Sequence, residues 1–366
     1  MMKIRMAMGV NGINTPKGFF IRNISNLDTY FSNLLTQPLF LVMQSILSDW
    51  VYLDDAVNQI SMKFDFPKKT IEASFNQLIE IKMVIKQDDP LHKYIDKFRG
   101  TWREHGWEEA IQYHFYTTRL IRMDYLADPK GLEDKAEMRE YLEKESLPSN
   151  YKLYENLPFI KLPELNEINE KKIIGLNEIF SAEVSRGNRT GEFSINELAY
   201  LLKLSVGQTA TRRLPLTGVH VAKTSPSGGS RHPTEAYIVI LHCQNIAKGL
   251  YHYSVKHHGL SLLIPGDHSE LLFEKVLGHR SRLSFEPILV FLFSTIFERS
   301  MFRYREGRSY RVMQHDLGHV MQTLAYLASS LERRSFRGYS LSEKEVEAFL
   351  GIDGLNEAAS SFAFIG

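Results

Sequence analysis

The residues best placed for chemistry lie in one short stretch, Lys223 to Tyr237, which reads KTSPSGGSRHPTEAY. Gly228 and Gly229 remove two Cβ atoms, so the backbone there can take unusual dihedrals and come close to a flat ligand. Ser225, Ser227 and Ser230 carry hydroxyls, and Arg231 and His232 add cationic or neutral donors around the same turn. Pro226 and Pro233 stiffen the two ends and confine the residues before them to extended conformations. Such a turn suits the close approach of a planar ligand. It equally suits an ordinary loop between strands.

Several elements must hold this turn in place. Arg212 to Ala222 reads as a strand before it, and Tyr237 to Cys243 (YIVILHC) as a buried strand after it. Glu286 to Phe297 (EPILVFLFSTIF) is a continuous apolar run, as expected of a central strand covered on both faces. His315 to Leu331 has Leu317, Val320, Met321, Leu324, Leu327 and Leu331 at helical spacing, a stripe broad enough to need cover on more than one side. Gly318 and Ala325 on that helix would permit close approach of another element. Ser194 followed three residues later by Glu197 is a capping box, so a helix starts there. Lys248 to Tyr253 and Gly259 to Ile264 read as a hairpin carrying His252, His257 and His258. Hairpin histidines are expected to be solvated, and without HExxH or paired carboxylates they predict no metal site.

The N-terminal part is built differently. Pro38 to Trp50, Leu53 to Phe64 and Pro67 to Lys82 read as three short helices, and Met83 to Lys86 as a strand. The third helix puts Ile71, Phe75, Leu78 and Ile79 on one face. This order predicts a winged-helix-like module over residues 35 to 89. Its candidate recognition helix balances Lys68 and Lys69 with Glu72 and Glu80, which is not the basic footprint that DNA phosphates require. Peptide binding or a structural role fits better. Residues 98 to 125 are rich in aromatics, which read as core packing. Residues 126 to 145 are densely charged, a solvated helix and linker. Leu147 to Leu165 carries Pro148, Pro158 and Pro163, and reads as an extended strap at a domain boundary.

The motif PSGG-S-RHP-T-EAY resembles the flavin-side loop of the SagB-type dehydrogenases, a branch of the FMN-dependent nitroreductase superfamily. Further segments resemble the same family in the same order, from about Trp102 to the end of the chain. Trp102, Trp107, His114 and Phe115 match its W-x-x-HGW-x-x-A-x-x-YH segment, and D-x-GH-x-x-Q from Asp316 matches its long helix near the flavin and the dimer core. The terminal GIDGLNEAASSFAFIG matches its last helix end and strand. The resemblance implies an α+β nitroreductase-like fold: a largely antiparallel central sheet flanked by helices, dimeric, behind the winged-helix-like module. The implied division is 1–95 for that module, 96–165 for an aromatic-rich bridge and linker, and 166–366 for the flavin domain.

The same resemblance implies the site. Members oxidise thiazoline and oxazoline rings in modified peptides or carrier-bound intermediates to azoles, with FMN as cofactor and dioxygen as electron acceptor. FMN would lie against Ser225, Pro226, Ser227, Gly228, Gly229, Arg231 and Gly318, with its phosphate on Arg186, Gly187 and Asn188. A guanidinium fork with short polar donors is what a phosphate dianion requires. Asn188 stands where the family has serine, and Gly187 separates it from Arg186. The family's Lys-Tyr proton-transfer pair is here Arg303-Tyr304. Arginine stays protonated and cannot be a base, so Tyr304 would take the proton and Arg303 would act through its charge. A homodimer and a cyclodehydratase partner are implied as well. The readings left open are a flavin-free scaffold that binds a leader peptide, and another FMN-dependent oxidoreductase of peptide natural products.

Composition narrows the class further. The hydrophobic share of 43% and charged share of 24% are those of a folded globular protein. The net charge of +1 offers no bulk attraction to nucleic acid or an anionic membrane. Cys243 is the only cysteine, which excludes an intrachain disulfide and a cysteine zinc site. With no apolar run long enough for a signal peptide or a membrane span, a cytoplasmic protein is expected.

Overall fold

The structure, a computed structural model, describes residues 2–16, 18–23, 29–31, 36–90, 93, 100–119, 131–165, 176–179, 191–276, 281 and 283–366. These fall into two compact units, Met1–Asp124 and Tyr125–Gly366.

The first unit begins with strands β1 (Lys3–Met6), β2 (Val10–Thr15), β3 (Gly18–Asn23) and β4 (Thr29–Phe31). Helix α1 (Gln37–Ile46), strand β5 (Val51–Tyr52), helices α2 (Leu53–Phe64) and α3 (Lys68–Glu80), strand β6 (Val84–Lys86) and helix α4 (Glu108–Arg119) follow. β1 lies between β5 and β6, antiparallel to both, while β2, β3 and β4 form a separate antiparallel sheet. Thr36 caps α1, but the helix ends at Ile46, short of the expected Trp50. Pairing of Val51 with Ile4, and a bond from the Met6 N–H to the Leu47 carbonyl, redirect the chain there. Tertiary pairing overrides an apolar run that would otherwise extend the helix. Ile71 and Phe75 are buried on one face of α3, beside Ile4, Phe40 and Ile60. In the aromatic segment Phe115 is buried with Ile111 and Met8, whereas Trp107 stays 59% exposed and meets Trp102 edge-on.

The second unit opens with helix α5 (Leu132–Lys144) and strand β7 (Phe159–Lys161). It continues through helix α6 (Ile195–Ser205) and strands β8 (Ala210–Leu214), β9 (Gly218–Ala222), β10 (Thr234–Ile240), β11 (Gly249–Ser254), β12 (Gly259–Pro265) and β13 (Leu289–Ile296). Helix α7 (Glu298–Met301), helix α8 (Ser309–Ser330), strand β14 (Ser335–Gly338), helix α9 (Glu343–Leu350) and strand β15 (Glu357–Ile365) complete it. A seven-stranded sheet runs in the order β14-β15-β13-β10-β11-β12-β7, with every neighbouring pair antiparallel. β13 and β10 are in register from Leu289 opposite Ile240 to Thr295 opposite Thr234.

Period-two alternation assigns the two faces of β10. Ala236, Ile238 and Ile240 face a core shared with Leu198, Leu201 and Leu202 of α6 and Leu317, Met321 and Leu324 of α8. Tyr237 and Val239 face another core with Leu292, Phe362, Phe364 and, from α9, Val346 and Leu350. Both faces are covered, which is why these antiparallel strands read as unbroken apolar runs. The α6 capping box forms as expected, with Ser194 and Glu197 bonding reciprocally.

Two expectations are corrected. Arg212 to Ala222 is a hairpin, not one strand: Pro215, Leu216 at φ 67° and Gly218 at φ 78° turn the chain, and β8 pairs back on β9. Among the hairpin histidines, His252 and His258 are 0% and 3% exposed. His258 donates from Nε2 to the Pro163 carbonyl and accepts at Nδ1 from the Tyr253 hydroxyl, so it is a buried neutral brace. The broad stripe on α8 is buried, as its spacing predicts, against α6 and the sheet.

The two-faced sheet makes a direct prediction. Phe291→Ala empties a fully buried site and is expected to cost about 3–5 kcal/mol. Denaturant unfolding monitored by circular dichroism measures it, and a change well under 1 kcal/mol would show that the core is not packed as described.

Candidate functional site

The glycine turn connects β9 to β10 and is held mainly by polar groups of α8. Ser227 Oγ donates to Asp316 Oδ2 at 2.6 Å, and the Gly228 N–H donates to Asp316 Oδ1 at 3.0 Å. Ser227 Oγ also accepts from the His232 N–H at 2.9 Å. Ser225, 1% exposed, stands 2.9 Å from the Ser205 carbonyl and 3.0 Å from Thr323 Oγ1. His319 Nδ1 donates to the Pro226 carbonyl at 3.2 Å, so three residues of α8 grip the turn. Asp316 is 4% exposed; burial pushes its carboxyl above the ordinary range, and the bonds from Ser227 and Gly228 pull it back.

The glycines make room for neighbours in this chain. A Cβ on Gly228 would lie 2.4 Å from Val312 Cγ1, and one on Gly229 only 2.0 Å from the Tyr304 hydroxyl. Gly229 has φ 59°, and Ser230 and His232 also sit in the left-handed region at φ 57° and 46°. Two non-glycine residues held there are strain that the bonds to Asp316, Val221 and Arg299 maintain.

Behind the turn lies a buried charge cluster. Arg299 Nη1 donates to Glu235 Oε1 at 2.5 Å and to the His232 carbonyl at 3.2 Å, and its Nε donates to the Ser149 carbonyl at 3.0 Å. His252 Nε2 lies 2.9 Å from Glu235 Oε2. Burial alone would raise Glu235, but Arg299 and His252 outweigh it and hold the carboxyl down at about 2. Burial, reinforced by Lys223 and Arg299, pushes His232 down to about 3. Burial likewise lowers Lys223 to about 8, against the pull of Glu235.

In front of the turn is a cavity of about 220 Å³, lined by Asp134, Met138, Arg212, Arg231, Arg303 and Tyr304 among others. The structure brings Gly229, Arg231, Arg303 and Tyr304 together here. Arg231 and Tyr304 stand together on its wall. Among the described residues Arg231 Nε is buried without a hydrogen-bond partner, a donor suited to an acceptor on a bound molecule. Arg303 is ion-paired with Asp134 of α5, and Arg305 grips Glu145 with two bonds of 3.1 and 2.9 Å. Ser225, Pro226 and Ser227 turn their polar atoms into the loop and α8. Arg186, Gly187 and Asn188 lie outside the described residues.

Sequence reasoning missed Asp134, Glu235, Arg299 and Asp316 as parts of this site. Asp316 and Glu235 had signals, as the acids of D-x-GH and of T-EAY; Asp134 sits in a charged run where nothing distinguishes it.

A search of curated proteins decides the family. The trifolitoxin-processing protein TfxB of Rhizobium leguminosarum bv. trifolii is 31% identical over 328 residues, covering 86% of this chain and 83% of that protein. The chain belongs to the SagB-type dehydrogenase family of the nitroreductase superfamily. A Methanocaldococcus jannaschii protein classed with the nitroreductases is 23% identical over 195 residues, 53% of this chain and 89% of its own length. Among solved structures, an Anabaena variabilis protein classed likewise superposes with a TM-score of 0.48 at 22% identity over 62% of this chain. The chain spans 45%, less than half, of that protein's length. No family model matches the chain. The antiparallel sheet with helices on both faces is the nitroreductase-like α+β fold expected of this SagB-type member, and no helix among the described residues is long and apolar enough to cross a membrane.

The cluster behind the turn predicts acid lability. His232 is held below its ordinary value of 6.5, so between that value and about pH 3 the unfolded chain binds the extra proton. Glu235 is held below 4.5, and from there down to about pH 2 the unfolded chain again binds more protons. Both terms make stability rise with pH, so acidification removes it progressively from about 6.5 to 2. Thermal melts across that range check this, and Glu235→Gln should flatten the part below 4.5; an unaltered slope would contradict the placement of Glu235.

Proposed function

We propose that this SagB-type protein is an FMN-dependent dehydrogenase that oxidises azoline rings of a modified peptide, or of a carrier-bound intermediate, to azoles. The observation that carries the reading is Tyr304, whose hydroxyl abuts Gly229 at a cavity where the Nε of Arg231 is buried and unpaired among the described residues. Family membership supplies the reaction class, and the relative named for trifolitoxin processing supports a peptide-derived substrate. The donor set fits a flavin: a clamped glycine turn, the free Nε of Arg231, and a phosphate subsite assigned to Arg186, Gly187 and Asn188. When bound, FMN would accept a hydride and pass its electrons to dioxygen.

The chain's own groups would do the rest. Tyr304 takes the proton from the ring carbon next to the carbonyl, and Gly229 leaves room for its hydroxyl to swing toward that carbon. Asp316 keeps the turn from collapsing, and Met138 of α5 gives the cavity an apolar wall that excludes water. The proposal extends to a homodimer, to a cyclodehydratase partner that makes the azoline, and to a winged-helix-like first module that holds a leader peptide. A second reading, a flavin-free scaffold, is favoured by one observation: the arginine in place of the family's lysine is tied up by Asp134.

Anaerobic mixing with an azoline peptide tests the reading. Tyr304→Phe should keep its flavin while the rate of flavin bleaching falls by about 100-fold or more. Bleaching as fast as in the parent would remove Tyr304 from the mechanism. Light scattering tests the assembly: a dimer is expected, and a monomer with flavin still bound would contradict it.

A further inference from the structure

We infer that the cavity in front of the glycine turn is a carboxylate subsite, so that the peptide this enzyme takes carries a carboxylate beside the ring to be oxidised. This deepens the proposed function and rests on it for the ring chemistry, although the recognition itself can be measured without turnover.

The charge on the cavity wall is one-sided. Lys135, Arg212, Arg231 and Arg303 are its cations, and Asp134 is the one carboxylate among the described lining residues. Asp134 is already ion-paired with Arg303, where the two side chains are only 27% and 14% exposed. That pair is neutral, so the remaining charges on the wall, those of Lys135, Arg212 and Arg231, are all positive. The protein as a whole carries only +1, so the excess is local and not a share of a generally basic surface.

Three separate elements bring these cations to one place. Arg212 lies on β8, opposite His220 of β9, and Lys135 lies in the first turn of α5. Arg231 closes the glycine turn, and its Nε is buried with no hydrogen-bond partner among the described residues. Neither Arg212 nor Arg231 has a carboxylate partner among those residues. An oxidised flavin ring is neutral, so an acceptor on it would satisfy the Arg231 N–H without balancing its charge. Buried Met138 and half-buried Leu214 line the same space, and apolar walls keep water from screening the cations. Charge and planar N–H forks together suit a carboxylate. Tyr304, the proposed base, stands on the same wall. In FMN the whole ribityl chain separates the phosphate from the ring that takes the hydride, so an anion beside the base belongs to the substrate.

Binding of the unreactive azole form of three synthetic peptides to the full-length protein tests this, read by fluorescence anisotropy with and without FMN. One peptide has Glu after the ring and an amidated end, one has Gln there and an amidated end, and one ends in a free carboxylate directly after the ring. A carboxylate-bearing peptide should bind about tenfold more tightly than the Gln peptide, and which of the two does so separates side chain from terminus. Arg212→Gln should cut the preference about threefold, the scale of one exposed ion pair. Arg212→Glu should pass the preference to a peptide with Lys after the ring. Equal binding of the three peptides would overturn the inference. So would an Arg212→Gln protein that loses FMN affinity but keeps the parent's preference, because the flavin phosphate would then be the anion. The peptide comparison needs no variant, so it decides alone should Arg212→Gln not fold. A carboxylate preference in a protein that bleaches no flavin would uphold the subsite and sink the dehydrogenase reading; bleaching with equal binding would do the reverse.

Discussion

The carboxylate of Asp316 is bonded through both oxygens to one turn of chain, and the candidate site depends on that contact. It takes the Ser227 hydroxyl on one oxygen and the Gly228 N–H on the other. A hydroxyl and an amide that would otherwise face the flank of α8 unpaired are thereby satisfied, and the acid is kept from solvent at a cost that burial alone would impose. Fixing Ser227 also fixes His232 through its N–H, and with it the left-handed backbone between them. The Tyr304 hydroxyl can take its place at the cavity only because Gly229 in that held conformation presents no Cβ.

The back of the turn is secured by charges that are individually expensive to bury. Glu235, Arg299 and His252 satisfy one another, and the pair at Arg299 extends to backbone carbonyls at Ser149 and His232. Beside them Lys152 donates to Glu357 Oε2 and to the Tyr237 hydroxyl, both at 2.6 Å, while Tyr237 and Ser294 donate to Glu357 Oε1. Buried pairs of this kind seldom add net stability over apolar packing, but breaking one partner leaves the other stranded. Their effect here is geometric. They join the strap before β7, the ends of β10, β11, β13 and β15, and helix α7 into one frame around the turn.

Much of that frame was legible in the sequence. The apolar runs of β10 and β13, the capping box of α6 and the stripe of α8 each carry a local signal that packing reinforces. The hairpin of β8 and β9 was hidden because Arg212 to Ala222 lacks an Asn-Gly or Asp-Gly turn and relies on Pro215, Leu216 and Gly218. His252 and His258 were misplaced because their burial depends on partners 17 and 95 residues away, Glu235 and Pro163. The role of Asp134 could not be read at all: among the acids of α5, only tertiary structure singles out the one that meets Arg303. Glycine–serine turns signal close approach without saying of what, and here the nearest neighbours are Val312 and Tyr304.

The central claim is that the turn clamped by Asp316 is a flavin cradle, and titration of the purified protein with FMN tests it most directly. The account predicts that the parent binds FMN, and that Asp316→Ala, still folded by circular dichroism, binds it at least about tenfold more weakly, the scale of a lost buried bond to a charged group. A parent that leaves FMN free, or an Asp316→Ala protein that binds it as tightly as the parent, would contradict the account.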